Sequence, residues 1–123
     1  MNRENTIFTP AWLVVGFVLF QMVVLTAVPT LVSTSPPLDV VEGWIWAPHW
    51  LLGTYKHPPM PAWFLQAAHM VLPGFIFPAY LLSQLALGLT YLFVYRTGRL
   101  FMQERQAAAG TLLLAGSYYF TLP

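Results

Sequence analysis

The sequence predicts an all-α integral membrane protein with about three transmembrane helices and one outward loop that carries short interfacial helices. Hydrophobic residues make up 58% of the 123 residues and charged residues only 7%, too few charges to cover a soluble domain of this size. No Asp, Glu, Lys or Arg occurs from Asn5 to Leu38 or from His57 to Tyr95. The segment between these stretches is rich in charged and aromatic residues, as expected at a membrane–water interface.

The first predicted span covers residues 11–32. At about 1.5 Å per residue, this apolar run is long enough to cross the ~30 Å hydrocarbon core. Pro29 should bend or end its last turn, because proline removes a helix hydrogen bond. The run exceeds the ~7–15 residues of a signal-peptide core, so we interpret it as a retained signal anchor.

Residues 33–73 form the predicted outward loop, which we expect to be ordered and packed on the membrane face. Ser35 followed by Pro36 is typical of a helix N-cap with proline in the first turn, and it predicts a surface helix that ends near Ala47. A second interfacial helix is predicted over residues 62–72. The loop contains these ionisable and aromatic residues: Asp39, Glu42, Trp44, Trp46, His49, Trp50, Tyr55, Lys56, His57 and Trp63.

Two further spans are predicted over residues 75–95 and 106–123, separated by a charged turn. Four arginines lie on one side of the predicted membrane and a single lysine, Lys56, lies on the other. The positive-inside rule therefore places the N-terminus and the charged turn in the cytoplasm. The predicted location is the inner (plasma) membrane, with loop 33–73 periplasmic or extracellular. The arginines are Arg3, Arg96, Arg99 and Arg105.

The loop is the candidate chemical site. Asp39, Glu42 and Trp46 should share one helix face, because they are spaced by three and four residues. A partly buried carboxylate can act as a general base, and Lys56 or His57 could bind a phosphate. In the alternative interpretation these are ordinary interface residues: an acid near a helix N-terminus, a snorkelling lysine and a histidine before a turn.

Composition excludes some functions and leaves others open. There is no basic patch for nucleic acid and no cysteine for a disulfide or thiolate site. No metal or other cofactor is predicted. A divalent metal on His49, His57 and a carboxylate remains an alternative, although no tight ligand spacing supports it.

The loop resembles that of a known enzyme family. The matching stretches are Pro37 to Trp44, then Trp50, then Gly53-Thr54-Tyr55-Lys56-His57-Pro58-Pro59-Met60-Pro61-Ala62-Trp63. They are similar to the first outward loop of family 39-type membrane glycosyltransferases, which include protein mannosyltransferases and the aminoarabinose transferase of lipid A. An Asp opens that loop in bacterial members, and a Gly-Tyr-Tyr-x-His-Pro-Pro element closes it. The arginine-bearing turn from Arg96 to Phe101 also fits.

The resemblance implies a GT-C fold and transfer of a sugar from a polyprenyl-phosphate donor to an acceptor at the outer face of the membrane. Asp39 corresponds to the loop Asp taken as catalytic base, with Glu42 as the nearest second acid. Lys56 and His57 correspond to positions that meet the donor phosphate. Two positions depart from the family pattern: Val40, where many relatives have Glu, and Lys56, where some have an acid.

Family members have many more spans, so the resemblance predicts that this chain is the N-terminal part of a GT-C enzyme, inactive by itself. Its expected partners are the lipid-linked donor, membrane lipid and the remainder of a split or truncated enzyme. Two alternatives remain. One is a non-catalytic accessory membrane protein whose Trp-rich loop contacts lipid or a partner. The other, a transporter fragment, is disfavoured because the predicted spans contain no charged residue.

Overall fold

The computed structural model describes residues 9–117, and this part of the chain is helical, without β-strands. It divides into two compact units, one containing residues 9–25 and 85–117 and the other residues 26–84. Two 3₁₀ turns, Ala47–His49 and Leu114–Gly116, follow the second and last helices. The α-helices are α1 Pro10–Val32, α2 Leu38–Trp46, α3 Pro59–His69, α4 Ile76–Gly98 and α5 Glu104–Leu113.

Helices α1 and α4 are long and apolar enough to cross a membrane. Each has 23 residues, which corresponds to about 34 Å at 1.5 Å per residue. Only 22% of the apolar window of α1 and 28% of that of α4 are buried within the protein, as expected for helices whose outer surface meets lipid. Pro29 lies inside α1, and the helix ends three residues later at Val32, where the Ser33 N–H donates to the Pro29 carbonyl at 2.9 Å.

The third predicted span is not confirmed. Helix α5 ends at Leu113 after 10 residues, and a short 3₁₀ turn continues only to Gly116. The last part of the predicted span, residues 118–123, lies outside the described residues. Within them, two helices meet the length and composition of a membrane span.

The first unit has a core built on aromatic and small side chains. Val14 and Val18 of α1 cluster with Tyr91 and Tyr95 of α4. A Cβ at Gly88 would lie 3.2 Å from Val18 Cγ1, so glycine allows the close approach here. Ala107 and Ala108 of α5 complete the cluster.

Helix α2 begins later than the sequence suggested. The Ser35 N-cap prediction is wrong: the N-cap is Pro37, with extended backbone (φ −53°, ψ 152°) and no side-chain capping bond. The residue before a proline is disfavoured in the α region, so Pro36, which precedes Pro37, is an unfavourable first residue for the helix. The predicted helix is present as Leu38–Trp46, and its position at a membrane interface remains a prediction.

Helix α3 also differs from its predicted bounds of 62–72. It runs from Pro59 to His69, with Pro58 as an extended N-cap. Prolines are accommodated in the first turn because the N–H groups there lack intrahelical partners. Helices α2 and α3 pack together, and their contact includes Gly43, where an added Cβ would lie 2.9 Å from Leu65 Cδ1.

Candidate functional site

The segment between α2 and α3 is anchored at its start by two features. Trp50 adopts the left-handed conformation (φ 48°) and ends the 3₁₀ turn, which redirects the chain. The Trp63 indole N–H then donates to the Leu51 carbonyl at 2.9 Å, which ties the segment to α3. Trp63 therefore positions the loop backbone, whatever its relation to the membrane interface.

A compact turn from Thr54 to His57 follows. The Thr54 hydroxyl donates to the His57 carbonyl at 2.9 Å and accepts from the His57 N–H at 3.0 Å. The Thr54 N–H also donates to the His57 carbonyl, at 3.4 Å. The turn thus fixes the backbone immediately before Pro58 and Pro59, which have no N–H to contribute.

This turn brings Lys56 to the acidic face of α2. The Lys56 ammonium donates to both carboxylate oxygens of Glu42, at 2.8 Å and 2.6 Å, and lies 3.9 Å from Asp39 Oδ1. His57 Nε2 lies 3.5 Å from Glu42 Oε2 and 4.0 Å from Asp39 Oδ1. All four predicted site residues therefore meet, although 14 positions separate Glu42 from Lys56 in the sequence.

The two acids differ in their surroundings. The hydrogen bond from Lys56 holds the pKa of Glu42 below its usual value, against a smaller opposing effect of partial desolvation. The same bond raises the pKa of Lys56. Asp39 has the more exposed side chain, 75% against 25% for Glu42. Glu42 is thus engaged as an anion, while Asp39 is open to solvent.

A cavity of about 290 Å³ lies beside this cluster. Asp39 and His57 supply its polar lining, and Trp46 supplies an aromatic side, its ring 5.7 Å from that of His57. Asp39 and Trp46 both line the cavity, as expected for residues on one face of α2. The remaining lining is apolar and consists of Val40, Gly43, Pro58, Pro61, Ala62 and Leu65. The cavity could accept a ligand with both polar and apolar parts.

The cluster also contains a set of potential metal ligands. Atoms of Asp39, Glu42 and His57 lie within 4.8 Å of one another. The Lys56 ammonium, however, already lies 2.6 Å from Glu42 Oε2 and supplies positive charge to these carboxylates. A second cation there would be repelled by Lys56, so these residues fit a divalent metal poorly in the arrangement observed.

The other two loop-region histidines lie elsewhere. His49 ends the 3₁₀ turn and is exposed. Among the described residues it does not belong to the group of potential metal ligands that contains His57, so the structure does not support the alternative metal site. His69 stacks on Phe75 with ring centroids 4.8 Å apart, lies edge-on to Trp44 at 5.2 Å and has Nδ1 3.2 Å from the Gly74 carbonyl oxygen. These contacts are those of a packing residue.

Sequence reasoning missed Thr54 and Gly43. Thr54 lies three residues before His57, a spacing at which threonine hydroxyls commonly form hydrogen bonds with nearby backbone groups. The sequence therefore contains a pattern that could predict this turn. Gly43 permits the approach of Leu65, which depends on the packing of two helices and has no local signal.

Comparison with known proteins bears on the second half of this site. A family model described as dolichyl-phosphate-mannose-protein mannosyltransferase matches residues 56–122. The match begins at Lys56 and includes His57, α3, α4 and α5, whereas Asp39 and Glu42 precede it. Neither the curated proteins nor the solved structures contain a match to the chain.

Proposed function

Because the chain belongs to the dolichyl-phosphate-mannose-protein mannosyltransferase family, we propose that it acts in transfer of a sugar from a polyprenyl-phosphate-linked donor to an acceptor at the outer face of the plasma membrane. The family is one of glycosyltransferases that use lipid-linked sugar donors in a membrane context. The two membrane-length helices agree with that setting.

One observation carries the proposal to particular residues. Two acids of α2 and the Lys56-His57 pair meet within about 4 Å, beside a cavity with polar and apolar lining. Glycosyl transfer from a lipid phosphate needs a base for the acceptor and positive charge for the leaving phosphate. Both kinds of group occur here together.

In the proposed step, Asp39 takes the proton of the acceptor hydroxyl while the hydroxyl oxygen attacks the anomeric carbon of the donor sugar. The bond from that carbon to the phosphate oxygen breaks, and its electron pair leaves with the polyprenyl phosphate. The developing negative charge on the phosphate is stabilised by Lys56, and by His57 when its ring is protonated.

The contacts favour Asp39 over Glu42 as the base. Glu42 accepts two hydrogen bonds from Lys56, which lowers its pKa and weakens it as a proton acceptor. The Asp39 carboxylate lies 3.9 Å from the ammonium and lines the cavity, where an acceptor could reach it. Glu42 is then the counter-charge that holds Lys56.

Lys56 can serve Glu42 and a phosphate together. A lysine ammonium has three N–H donors, and two of the Lys56 contacts are to Glu42. Its side chain is 41% exposed, so a phosphate oxygen could approach the remaining donor. We propose that the donor places its phosphate at Lys56 and its lipid along the apolar lining of the cavity.

The test uses the protein at full length in membranes supplied with labelled polyprenyl-phosphate-mannose, with polyprenyl-phosphate-aminoarabinose as an alternative donor. We expect label to pass to an acceptor with the wild-type protein and turnover to fall about 10²–10⁴-fold with Asp39→Asn, the usual contribution of a general base. If Asp39→Asn and Glu42→Gln both retain turnover, neither acid is the base and the loop acts as an anchor. If the wild-type protein transfers no label, an accessory role replaces catalysis.

A further inference from the structure

Thr54 makes an unusual double contact within the loop. Its hydroxyl donates to the carbonyl and accepts from the N–H of the same residue, His57, at 2.9 Å and 3.0 Å. A hydroxyl is one of the few side-chain groups that can donate and accept at once. Both polar backbone groups of His57 are therefore bonded to one side chain, which is itself partly buried.

The backbone alone holds this turn weakly. The backbone bond that closes it, from the Thr54 N–H to the His57 carbonyl, is long at 3.4 Å, where hydrogen bonds are weak. Pro58 and Pro59 follow directly and cannot donate. The two shorter hydroxyl contacts are thus the main local restraint on the His57 backbone.

The turn determines where Lys56 can place its ammonium. Lys56 lies inside the turn, between its bonded ends, and reaches both oxygens of Glu42. Glu42, which accepts these hydrogen bonds, belongs to α2, whereas the turn that contains Lys56 leads into α3. A change in the turn would therefore move Lys56 and His57 relative to both carboxylates, without any change in the helices.

We propose that Thr54 is a positioning residue, whose hydroxyl closes the turn that presents Lys56 and His57 to Asp39 and Glu42 and so to the donor phosphate. The inference rests on the proposed function only for the identity of the donor. Its geometric part, the hold on Lys56, is independent of any activity.

Lys56 provides a direct reporter, because it is the only lysine in the chain. An amine-acylating reagent at fixed pH labels Lys56, and mass spectrometry of the peptide separates it from the N-terminal amine. The bond to Glu42 slows this labelling, since only a free, deprotonated amine reacts. Thr54→Val keeps the shape of the side chain and removes both hydroxyl contacts. Thr54→Ser retains them.

Thr90→Val is the matched control. The Thr90 hydroxyl makes a side-chain-to-backbone bond of 2.9 Å to the Ala86 carbonyl on the exposed surface of α4, so the same substitution removes a similar bond away from the loop. We expect Thr54→Val to label faster at Lys56, and Thr54→Ser and Thr90→Val to label at the wild-type rate. A wild-type rate for Thr54→Val would overturn the proposal.

Binding of undecaprenyl phosphate to the full chain in detergent tests the functional part. The loss of the two hydroxyl bonds should weaken binding about five- to thirty-fold in Thr54→Val, with Thr54→Ser restoring it. Faster labelling of Lys56 with unchanged binding of undecaprenyl phosphate would show that Thr54 does not position Lys56 for donor binding. Absence of sugar transfer by the wild-type protein would instead remove the proposed function while leaving the labelling result unaffected, so the two failures are distinguishable.

Discussion

The substitution Gly43→Ala probes the contact between α2 and α3 that places the acids beside the Lys56 turn. An added Cβ would lie 2.9 Å from Leu65 Cδ1, whereas carbon atoms in contact prefer about 3.5–4.0 Å. The pair would therefore have to separate by about 0.6–1.1 Å, or the Leu65 side chain would have to change rotamer. Leu65 is only 8% exposed, so its freedom to move is limited.

Gly43→Ala should change the free energy of unfolding through two opposing contributions. Replacing a helical glycine by alanine stabilises a helix by about 1 kcal/mol. Overpacking a buried contact costs about 1–3 kcal/mol. Gly43→Ala should thus be between neutral and about 2 kcal/mol destabilising. Gly110 lies inside α5, and a Cβ added there would meet no neighbouring side chain within 4 Å. Gly110→Ala should therefore gain only the helix propensity of alanine and stabilise the protein by about 1 kcal/mol.

Equilibrium unfolding of the purified protein in mixed detergent micelles measures both variants. A double-mutant cycle isolates the contact: in a Leu65→Ala background, Gly43→Ala should become stabilising like Gly110→Ala, giving a coupling of about 1–3 kcal/mol. Additivity of Gly43→Ala and Leu65→Ala within about 0.5 kcal/mol would refute the close packing of these helices.

Three other predictions concern the charges and topology of the loop. Glu42→Gln should speed acylation of Lys56, because the pKa of Lys56 falls when its anionic partner is lost; an unchanged rate would contradict the ion pair. The Lys56–Glu42 ion pair should stabilise the loop at any pH where both groups are charged. This stabilisation should be lost as the pH falls through the lowered pKa of Glu42, below 4.5, or rises through the raised pKa of Lys56, above 10.5. Measuring the protease sensitivity of the loop across pH tests this. In intact cells, an impermeant thiol reagent should label Leu52→Cys but not Thr97→Cys, since the chain has no cysteine of its own, and the reverse pattern would invert the topology.

Features set by composition and local periodicity could be predicted from the sequence. The two long uncharged runs correspond to α1 and α4, because membrane-length apolar segments need little tertiary context. Spacings of three and four residues placed Asp39 and Trp46 on one face of α2, where both line the cavity. The four candidate site residues follow from the chemistry of the loop together with the family resemblance, and the structure brings them together.

Other features depended on interactions that single residues do not reveal. The start of α2 differs from the Ser35 prediction because Pro37 disfavours a helical Pro36. The start of α3 differs from residue 62 because Pro59 and Pro61 are accommodated in the first turn of the helix. The Lys56 bond to Glu42 requires α2 and α3 to pack first, so sequence spacing could not predict that Glu42 would engage the lysine proposed to meet the donor.

In the proposed mechanism, Asp39 is the base and Glu42 is the counter-charge of Lys56. The most direct test of this assignment compares turnover of Asp39→Asn and Glu42→Gln in the full-length protein at saturating polyprenyl-phosphate-mannose, with donor binding measured separately. We predict that Asp39→Asn lowers turnover about 10²–10⁴-fold with donor binding nearly unchanged, while Glu42→Gln mainly alters donor binding. Near-normal turnover in Asp39→Asn with loss of turnover in Glu42→Gln would contradict the account and assign the base to Glu42.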